Sequence, residues 1–268
     1  CTIVGNTVSG NTYETAYGGG LYVSYGSNVD VLNSIIWGNR ALSGSQIAVC
    51  TDFEFDPLSS ALNVTYSDIE EPDLTIEPPL DIIFCVDTTA SMWDDIAAIK
   101  EAATQIIAEI ADISEDYRIA VVDYRDFNEL PYGDPNNDYE VNDVSSFVNS
   151  RFEAEGAINS FKLGNGMDWP ESVYSALMHC IDANTLNNWR KGETTRAIIL
   201  MGDAPPHEPE PFTNYTLDSV IEAATEGPNT VNILSVMIGP DATARSLFAS
   251  LAEDTGGALV LAEDANEV

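Results

Sequence analysis

The stretch LDIIFCVDTTAS, residues 80–91, decides the fold class of this chain. Residues 80–86 are predominantly apolar, which predicts a strand that is covered on both faces of its sheet. The strand runs into Asp87, and two hydroxyl side chains follow at alternate positions, Thr89 and Ser91. On an extended loop, alternate side chains point the same way. The stretch therefore predicts a buried strand with a set of oxygen ligands at its carboxyl end.

Outward from this strand, the apolar pattern alternates between strands and helices. Strands are predicted at 117–124, 197–201, 231–238 and 258–261, and helices at 94–111, 149–161, 170–184, 217–226 and 242–254. Alternating elements of this kind predict an α/β fold, a doubly wound and mainly parallel sheet with helices on both faces. Asp94 and Asp95 are expected to cap the first of these helices.

A second aspartate follows a neighbouring apolar strand. The strand at 197–201 continues as GDAPPH, residues 202–207, which places Asp203 after its end. In a doubly wound sheet, ligands bind beyond the carboxyl ends of the strands. Mg²⁺ takes roughly six oxygen ligands, of which one or two are carboxylates. Asp87, Thr89, Ser91 and Asp203 supply such a set.

These motifs resemble those of a known family. The D-x-T-x-S pattern at 87–91 resembles the metal-ion-dependent adhesion site of von Willebrand factor A (VWA) domains, with Thr89 where that family more often has Ser. YRIAVVDYRD (117–126), GNGMDWPE (164–171) and IILMGDAPPH (198–207) are similar to further motifs of a subgroup that includes integrin β subunits. The resemblance covers about 190 residues in the same order.

The resemblance implies a ligand set and a function. By analogy with integrin β subunits, Glu171 would bind the metal directly or through water, and Asp168 would share that ion or hold a second one. The ion implied is Mg²⁺, with Ca²⁺ and Mn²⁺ as alternatives. Both acids also suit the start of a helix, where the dipole favours carboxylates. The other acids of residues 126–143 are expected to form a solvated loop, with Ca²⁺ binding as the alternative.

Residues 1–69 have a different rhythm. TIVGN (2–6), GGGLYV (18–23), SIIWGN (34–39) and LNVTYS (62–67) are short apolar phrases separated by Gly and Asn turns. They resemble the right-handed parallel β-helix repeats of bacterial surface proteins, which would place Ile3, Ile35 and Val64 in a shared interior. A small β-sandwich fragment is the alternative. Residues 70–79 are predicted to be an acidic, proline-rich linker, and residues 80–268 the VWA domain.

Charge narrows the classes of partner. The chain has 44 acidic and 10 basic residues, a net charge of −34. Such a surface repels nucleic acid and anionic membranes. The sequence contains no run of about 18 apolar residues, which is the length that would predict a membrane-spanning helix. Because the chain starts at Cys1, we expect it to be part of a longer protein, and the resemblances to VWA domains and to bacterial surface proteins imply an extracellular or cell-surface location.

The leading function is therefore a cation-dependent binding module and not an enzyme. Its metal would bind an exposed Asp or Glu on a protein partner. One alternative is a structural spacer whose VWA domain no longer binds metal. Another is a phosphatase-like hydrolase that uses Asp87 as a nucleophile. That chemistry usually needs a second Asp where Thr89 stands.

Overall fold

The computed structural model describes residues 1–7, 19–23, 27–37, 39, 47–49, 61–65, 68–69, 78–114 and 116–262. The contacts of the chain divide it into two compact units, Cys1–Glu77 and Pro78–Val268. The predicted joint at 70–79 lies mostly outside the described residues. The two units are described separately below.

The described part of the first unit consists of short strands in parallel pairs. These are β1 (Thr2–Val4), β2 (Leu21–Val23), β3 (Asn28–Leu32), β4 (Ile35–Trp37), β5 (Ile47–Val49), β6 (Ala61–Thr65) and β7 (Asp68–Ile69). β4 lies between β1 and β7, β2 pairs with β5, and β3 pairs with β6. Thr2 pairs with Ile35, Ile35 with Asp68 and Asn28 with Ala61, each a step of 33 residues.

Of the three residues predicted for a shared interior, Ile35 was wrong by one position: it is 45% exposed, whereas its neighbour Ile36 is buried. Successive residues of a strand face opposite sides, so a shift of one position exchanges the inner and outer sets. Ile3 pairs with the buried Ile36, and Val64 pairs with the buried Val31, although Val64 itself is 39% exposed. Because Ile35 and Ile36 are both apolar and adjacent, the sequence pattern does not indicate which of the two faces the interior.

The second unit has the predicted doubly wound architecture. Its elements are β8 (Leu80–Asp87), α1 (Ile96–Ile113), β9 (Tyr117–Tyr124), β10 (Asn142–Val148), α2 (Arg151–Asn159), α3 (Val173–Asp182), β11 (Thr195–Gly202), α4 (Leu217–Glu226), β12 (Asn232–Ile238), α5 (Ala242–Asp254) and β13 (Leu259–Ala262). The strand order is β10-β9-β8-β11-β12-β13. All neighbours are parallel except the edge strand β10, which is antiparallel to β9. The predicted fold class is confirmed.

Both faces of this sheet are covered by helices. Ile82, Phe84 and Val86 belong to a core cluster with α1 and α2, while Ile83 and Cys85 belong to a cluster with α3, α4 and α5. The strand therefore presents apolar side chains to both layers, as a central parallel strand does. Among the described residues, no helix is both long and apolar enough to cross a membrane.

Candidate metal centre

Two neighbouring parallel strands place acidic groups at one edge of the sheet. β8 ends at Asp87, and Asp203 directly follows the last residue of β11. The two strands are in parallel register, with Met201 paired to Val86. Parallel strands end at the same edge, so Asp87 and Asp203 must approach each other there.

The loop after β8 connects the two carboxylates by hydrogen bonds. Asp87 Oδ1 accepts from the Thr89 backbone N (2.8 Å) and from Thr89 Oγ1 (2.6 Å). Thr89 Oγ1 lies 3.0 Å from Ser91 Oγ. Ser91 Oγ donates to Asp203 Oδ1 at 3.0 Å. The four residues thus form one continuous cluster, with the alternate side chains of the loop on the same side.

Glu171 joins this cluster from the loop before α3. Its backbone N donates to Pro205 O at 2.9 Å, which fixes the loop beside the segment that follows β11. A Cβ atom added to Gly166 would lie 3.2 Å from Glu171 Oε1 and 3.6 Å from the Thr89 side chain. The Glu171 side chain is therefore beside Thr89 and is almost wholly buried.

The carboxylates raise one another's pKa. Burial, followed by the negative charge of Asp203, raises the pKa of Asp87 to about 8. Burial, followed by the charge of Asp87, raises the pKa of Glu171 well above its ordinary value. Burial also raises the pKa of Asp203 to about 6. Such mutual repulsion is relieved by a proton or by a cation.

The unsatisfied oxygen atoms fit a hard divalent cation. Among the described residues, the buried side-chain atoms without a hydrogen-bond partner include Asp87 Oδ2 and Glu171 Oε2. A buried carboxylate oxygen with no donor is costly. Carboxylate and hydroxyl oxygens are the ligands that Mg²⁺ and Ca²⁺ prefer. The residues present therefore fit such an ion.

Asp168 belongs to a second cluster. Its carboxylate lies 4.0 Å from His207 Nε2, which is 3.2 Å from Asp126 Oδ1. One ligand atom from each of these three residues lies within 4.8 Å of the others, an arrangement that can hold a metal ion. Asp126 Oδ2 is another buried oxygen without a partner. Of the two acids considered for the middle loop, Glu171 lies with Asp87 and Asp168 lies with Asp126.

Two acids of the 126–143 segment, Asp126 and Asp138, are buried and not, as predicted, solvated. Asp126 is fully buried and Asp138 is nearly so. The Asp138 carboxylate accepts hydrogen bonds from the backbone N of Asn165 and of Gly166, both at 3.0 Å. It thereby holds the glycine loop against the centre. No periodic pattern in residues 126–143 separates Asp138 from its exposed neighbours.

The sequence also missed Asp126 and His207 as site residues. Asp126 follows β9 and His207 follows β11. Their position just after strands of a parallel sheet is the sequence signal that points to a ligand site. His207 packs against the rings of Phe127 and Tyr132, with centroids 5.7 Å and 5.2 Å away. This packing fixes the imidazole beside Asp126.

The predicted cap of the first helix was wrong. Asp95 occupies the N-cap position of α1, but its side chain makes no capping hydrogen bond. A capping residue normally has extended φ and ψ, whereas Asp95 has φ −98° and ψ −26°. The preceding 3-10 turn, Ala90–Trp93, brings the chain into the helix with helical angles already.

Comparison with known proteins agrees with this architecture. The sequence profile described as "Integrin beta chain VWA domain" matches residues 75–211, just over half of the chain. The chain belongs to the integrin beta chain VWA domain family. Integrin beta-1 from Gallus gallus is 23% identical to this VWA domain protein over 144 residues, and integrin beta-1-A from Xenopus laevis is 25% identical over 144 residues. Each match covers 48% of this chain and 18% of the relative.

A solved structure supports the fold of this VWA domain protein. The crystal structure of proximal thread matrix protein 1 from the mussel byssus matches with a TM-score of 0.51 and 12% sequence identity. The match covers 71% of this chain and 43% of the other. At this identity the likeness concerns the fold alone.

Proposed function

We propose that this chain is a cation-dependent adhesion module. Asp87, Thr89, Ser91, Glu171 and Asp203 hold one divalent cation, and an open coordination position of that ion takes an Asp or Glu carboxylate of a protein partner. The observation that carries the proposal is the pair of buried, unpartnered oxygens, Asp87 Oδ2 and Glu171 Oε2. Nothing but a proton or a cation offsets carboxylates buried together in this way.

The ion proposed for this centre is Mg²⁺, with Mn²⁺ and Ca²⁺ as the competitors. Two of the proposed ligands are neutral hydroxyls, and because Mg²⁺ usually binds only one or two carboxylates directly, one of the three carboxylates, Glu171, would bind it through water. A second ion is proposed between Asp126, Asp168 and His207. Its imidazole ligand favours a transition metal such as Zn²⁺ or Fe²⁺ over Mg²⁺.

The rest of the chain is proposed to present this module outside the cell. Integrin β chains are the relatives, and membership of their family indicates an adhesion-type domain. We propose that residues 1–69 form β-helix-like coils, because three of the four parallel pairs among the described residues have a step of 33 residues and the pair of β2 with β5 has a step of 26. Residues 70–79 would link them to the VWA domain at 80–268. Direct binding to nucleic acid or membranes is disfavoured by the net charge of −34.

Two other functions compete with binding. A structural spacer would bind no ion at all. A phosphatase-like hydrolase would need Asp87 to attack a substrate, but Asp87 Oδ1 is engaged by both donors of Thr89 and the residue is fully buried. The binding proposal uses the hydroxyl of Thr89 as a ligand, and the hydrolase proposal leaves it without a role.

Calorimetric titration of the full chain with MgCl₂, MnCl₂ and CaCl₂ tests the proposal. Asp87→Ala should abolish binding at the centre, and Ser91→Ala should weaken it about tenfold, because a neutral ligand contributes less than a charged one. Glu226→Ala is the matched control, since it removes an exposed carboxylate at the end of α4. If the wild type binds no divalent ion, the adhesion-module proposal is wrong and the structural spacer becomes the favoured hypothesis.

A further inference from the structure

Large apolar side chains are exposed around the Asp87 centre. Trp93 is 72% exposed, Leu130 66%, Met167 57% and Trp169 48%. Trp93 and Leu130 lie on the loops beyond the carboxyl ends of β8 and β9, and Met167 and Trp169 lie on the loop of Glu171, which is hydrogen-bonded to the segments that follow β8 and β11. Exposed apolar side chains that gather at one place mark an interaction surface.

Leu130 and Met167 line a pocket that touches the centre. Together with Ala90, Pro135 and Gly166 they line the apolar part of a cavity of about 640 Å³, whose polar part is formed by Asp134, Asn136 and Asn165. Ala90 stands between Thr89 and Ser91, the two proposed hydroxyl ligands. Gly166 is the residue whose added Cβ would lie 3.2 Å from Glu171 Oε1. A side chain in this pocket would therefore be next to a group bound at the ion.

The apolar rim is held in place by hydrogen bonds. The backbone N of Met167 donates to Tyr132 O at 2.9 Å, and the backbone N of Ala90 donates to Asn165 O at 3.1 Å. Trp169 Nε1 donates to Asp241 Oδ2 at 3.1 Å. A surface that is ordered before binding loses less conformational entropy when a partner docks.

Charge restricts what the partner can carry beside its carboxylate. Trp169 lies in a second cavity, of about 410 Å³, that also includes Asp94, Asp95 and Asp241 beside Ser91 and Asp203. The chain as a whole has a net charge of −34. The cation compensates the charge of a single partner carboxylate that binds to it. Further acidic side chains on the partner would lie near Asp94, Asp95 and Asp241 and would be repelled by them.

We infer that the partner presents one Asp or Glu flanked by large apolar side chains, and not a cluster of acids. One flanking side chain fills the Ala90–Leu130–Met167 pocket, and the other packs on the indole of Trp169. Aromatic and Met side chains are typical anchors of binding surfaces. This inference rests on the proposed function, because it needs the ion to bind the carboxylate.

The test uses three end-blocked pentapeptides, Gly-Phe-Glu-Leu-Gly, Gly-Gly-Glu-Gly-Gly and Gly-Glu-Glu-Glu-Gly. Each is titrated into the full chain at saturating Mg²⁺, and binding is followed by NMR shifts, which measure millimolar affinities. We expect the apolar peptide to bind at least tenfold more tightly than the glycine peptide, and the tri-acidic peptide to bind no better than the glycine peptide. EDTA should abolish all binding.

Variants separate the rim from the ion. Met167→Ala should reduce the affinity ratio between the apolar and the glycine peptide at least threefold. Phe152→Ala is the matched control, because Phe152 is 83% exposed at the start of α2, away from the carboxyl edge of the sheet. If the apolar and glycine peptides bind equally, or the tri-acidic peptide binds best, the inference is overturned while the proposed function stands. If Mg²⁺ binds but no peptide does, carboxylate recognition fails and the inference fails with it.

Discussion

At the scale of single residues, Gly166 couples backbone shape to the proposed ion site. Its φ is +68°, a left-handed conformation that costs other residues about 1–2 kcal/mol, and its missing side chain leaves room for Glu171 Oε1. We expect Gly166→Ala to lower the free energy of unfolding by about 1 kcal/mol and to weaken cation binding about tenfold, because the new methyl displaces Glu171.

Gly192 provides the matched control for this substitution. It has a similar φ of +87°, but a Cβ added there has no neighbour within 4 Å. Gly192→Ala should lose about the same stability and leave cation affinity unchanged. Denaturant unfolding in EDTA measures the first quantity and calorimetric titration the second. Equal cation affinity in both variants would show that Gly166 does not position Glu171.

The raised pKa values predict how pH acts on the centre. Burial raises the pKa of Asp87 to about 8 and that of Asp203 to about 6, so protons compete with the cation near neutral pH. Each displaced proton changes affinity by up to about tenfold per pH unit. We expect Mg²⁺ to bind at least tenfold more tightly at pH 8 than at pH 6, with proton release visible in buffers of different ionisation enthalpy.

The cation-free protein should show the opposite dependence on pH. A carboxyl group whose pKa is higher in the folded than in the unfolded state gives stability below its unfolded pKa of about 4 and loses it as pH rises through the folded value. The chelated chain should therefore become less stable between about pH 4 and pH 8. Urea unfolding in EDTA across this pH range measures this loss of stability. If, in addition, the Mg²⁺ affinity of the previous prediction did not change with pH, Asp87 and Asp203 would not be the ligands.

At the scale of elements, Asp81 holds three parts of the second unit together. It is fully buried and accepts hydrogen bonds from Arg118 Nε on β9 (3.0 Å) and from Arg190 Nε (2.7 Å) before β11. Burial alone would raise the pKa of Asp81, but the hydrogen bond and charge of Arg118 and the contacts of Arg190 keep it below its usual value. Removing one partner of a buried ion cluster leaves the others uncompensated.

We therefore expect Asp81→Ala to lower the free energy of unfolding by about 3 kcal/mol. The control is Arg151→Ala, which breaks the partly exposed i,i+4 pair with Glu155 and should cost less than about 1 kcal/mol. Circular dichroism at 222 nm during urea unfolding follows the helices, which in the described residues belong to the second unit. A loss below 1 kcal/mol for Asp81→Ala would mean that water replaces the carboxylate without penalty.

The central strands were easier to predict than the edges of the sheet. The strand at 117–124 has the predicted bounds, and β8 extends one residue beyond its prediction, to Asp87. Burial on both faces makes such strands continuous apolar runs. β10 was missed because it is an antiparallel edge strand with register irregularities, and its sequence NDVSSFV is half polar. Its pairing with β9 depends on tertiary contacts that no local pattern shows.

The candidate site was predictable only where its residues follow strands in sequence. Asp87, Thr89, Ser91 and Asp203 occupy adjacent strand ends, and the topology alone brings them to one edge. Glu171 lies in the Asp87 cluster and Asp168 lies in the Asp126–His207 cluster because of the way the 164–171 loop bends. That bend is set by Asp138 and by the left-handed conformation of Gly166, neither of which can be derived from residue types alone.

At the scale of the whole molecule, net charge and the ion site should stabilise the chain in separable ways. A net charge of −34 destabilises the compact state through general repulsion, and any salt screens that repulsion. Binding at the centre instead follows mass action and contributes about 2.7 kcal/mol when the free ion is at one hundred times its dissociation constant. The two effects differ in their dependence on ion type and on Asp87.

Melting temperatures at matched ionic strength distinguish the two effects. We expect NaCl to raise the melting temperature of the wild type and of Asp87→Ala by similar amounts, because screening does not depend on one residue. MgCl₂ at the same ionic strength should add several degrees for the wild type alone, and EDTA should remove that increment. If MgCl₂ raised both proteins equally, the ion would be acting on the acidic surface as a whole, and the converging carboxylates would have to be neutralised by protons instead.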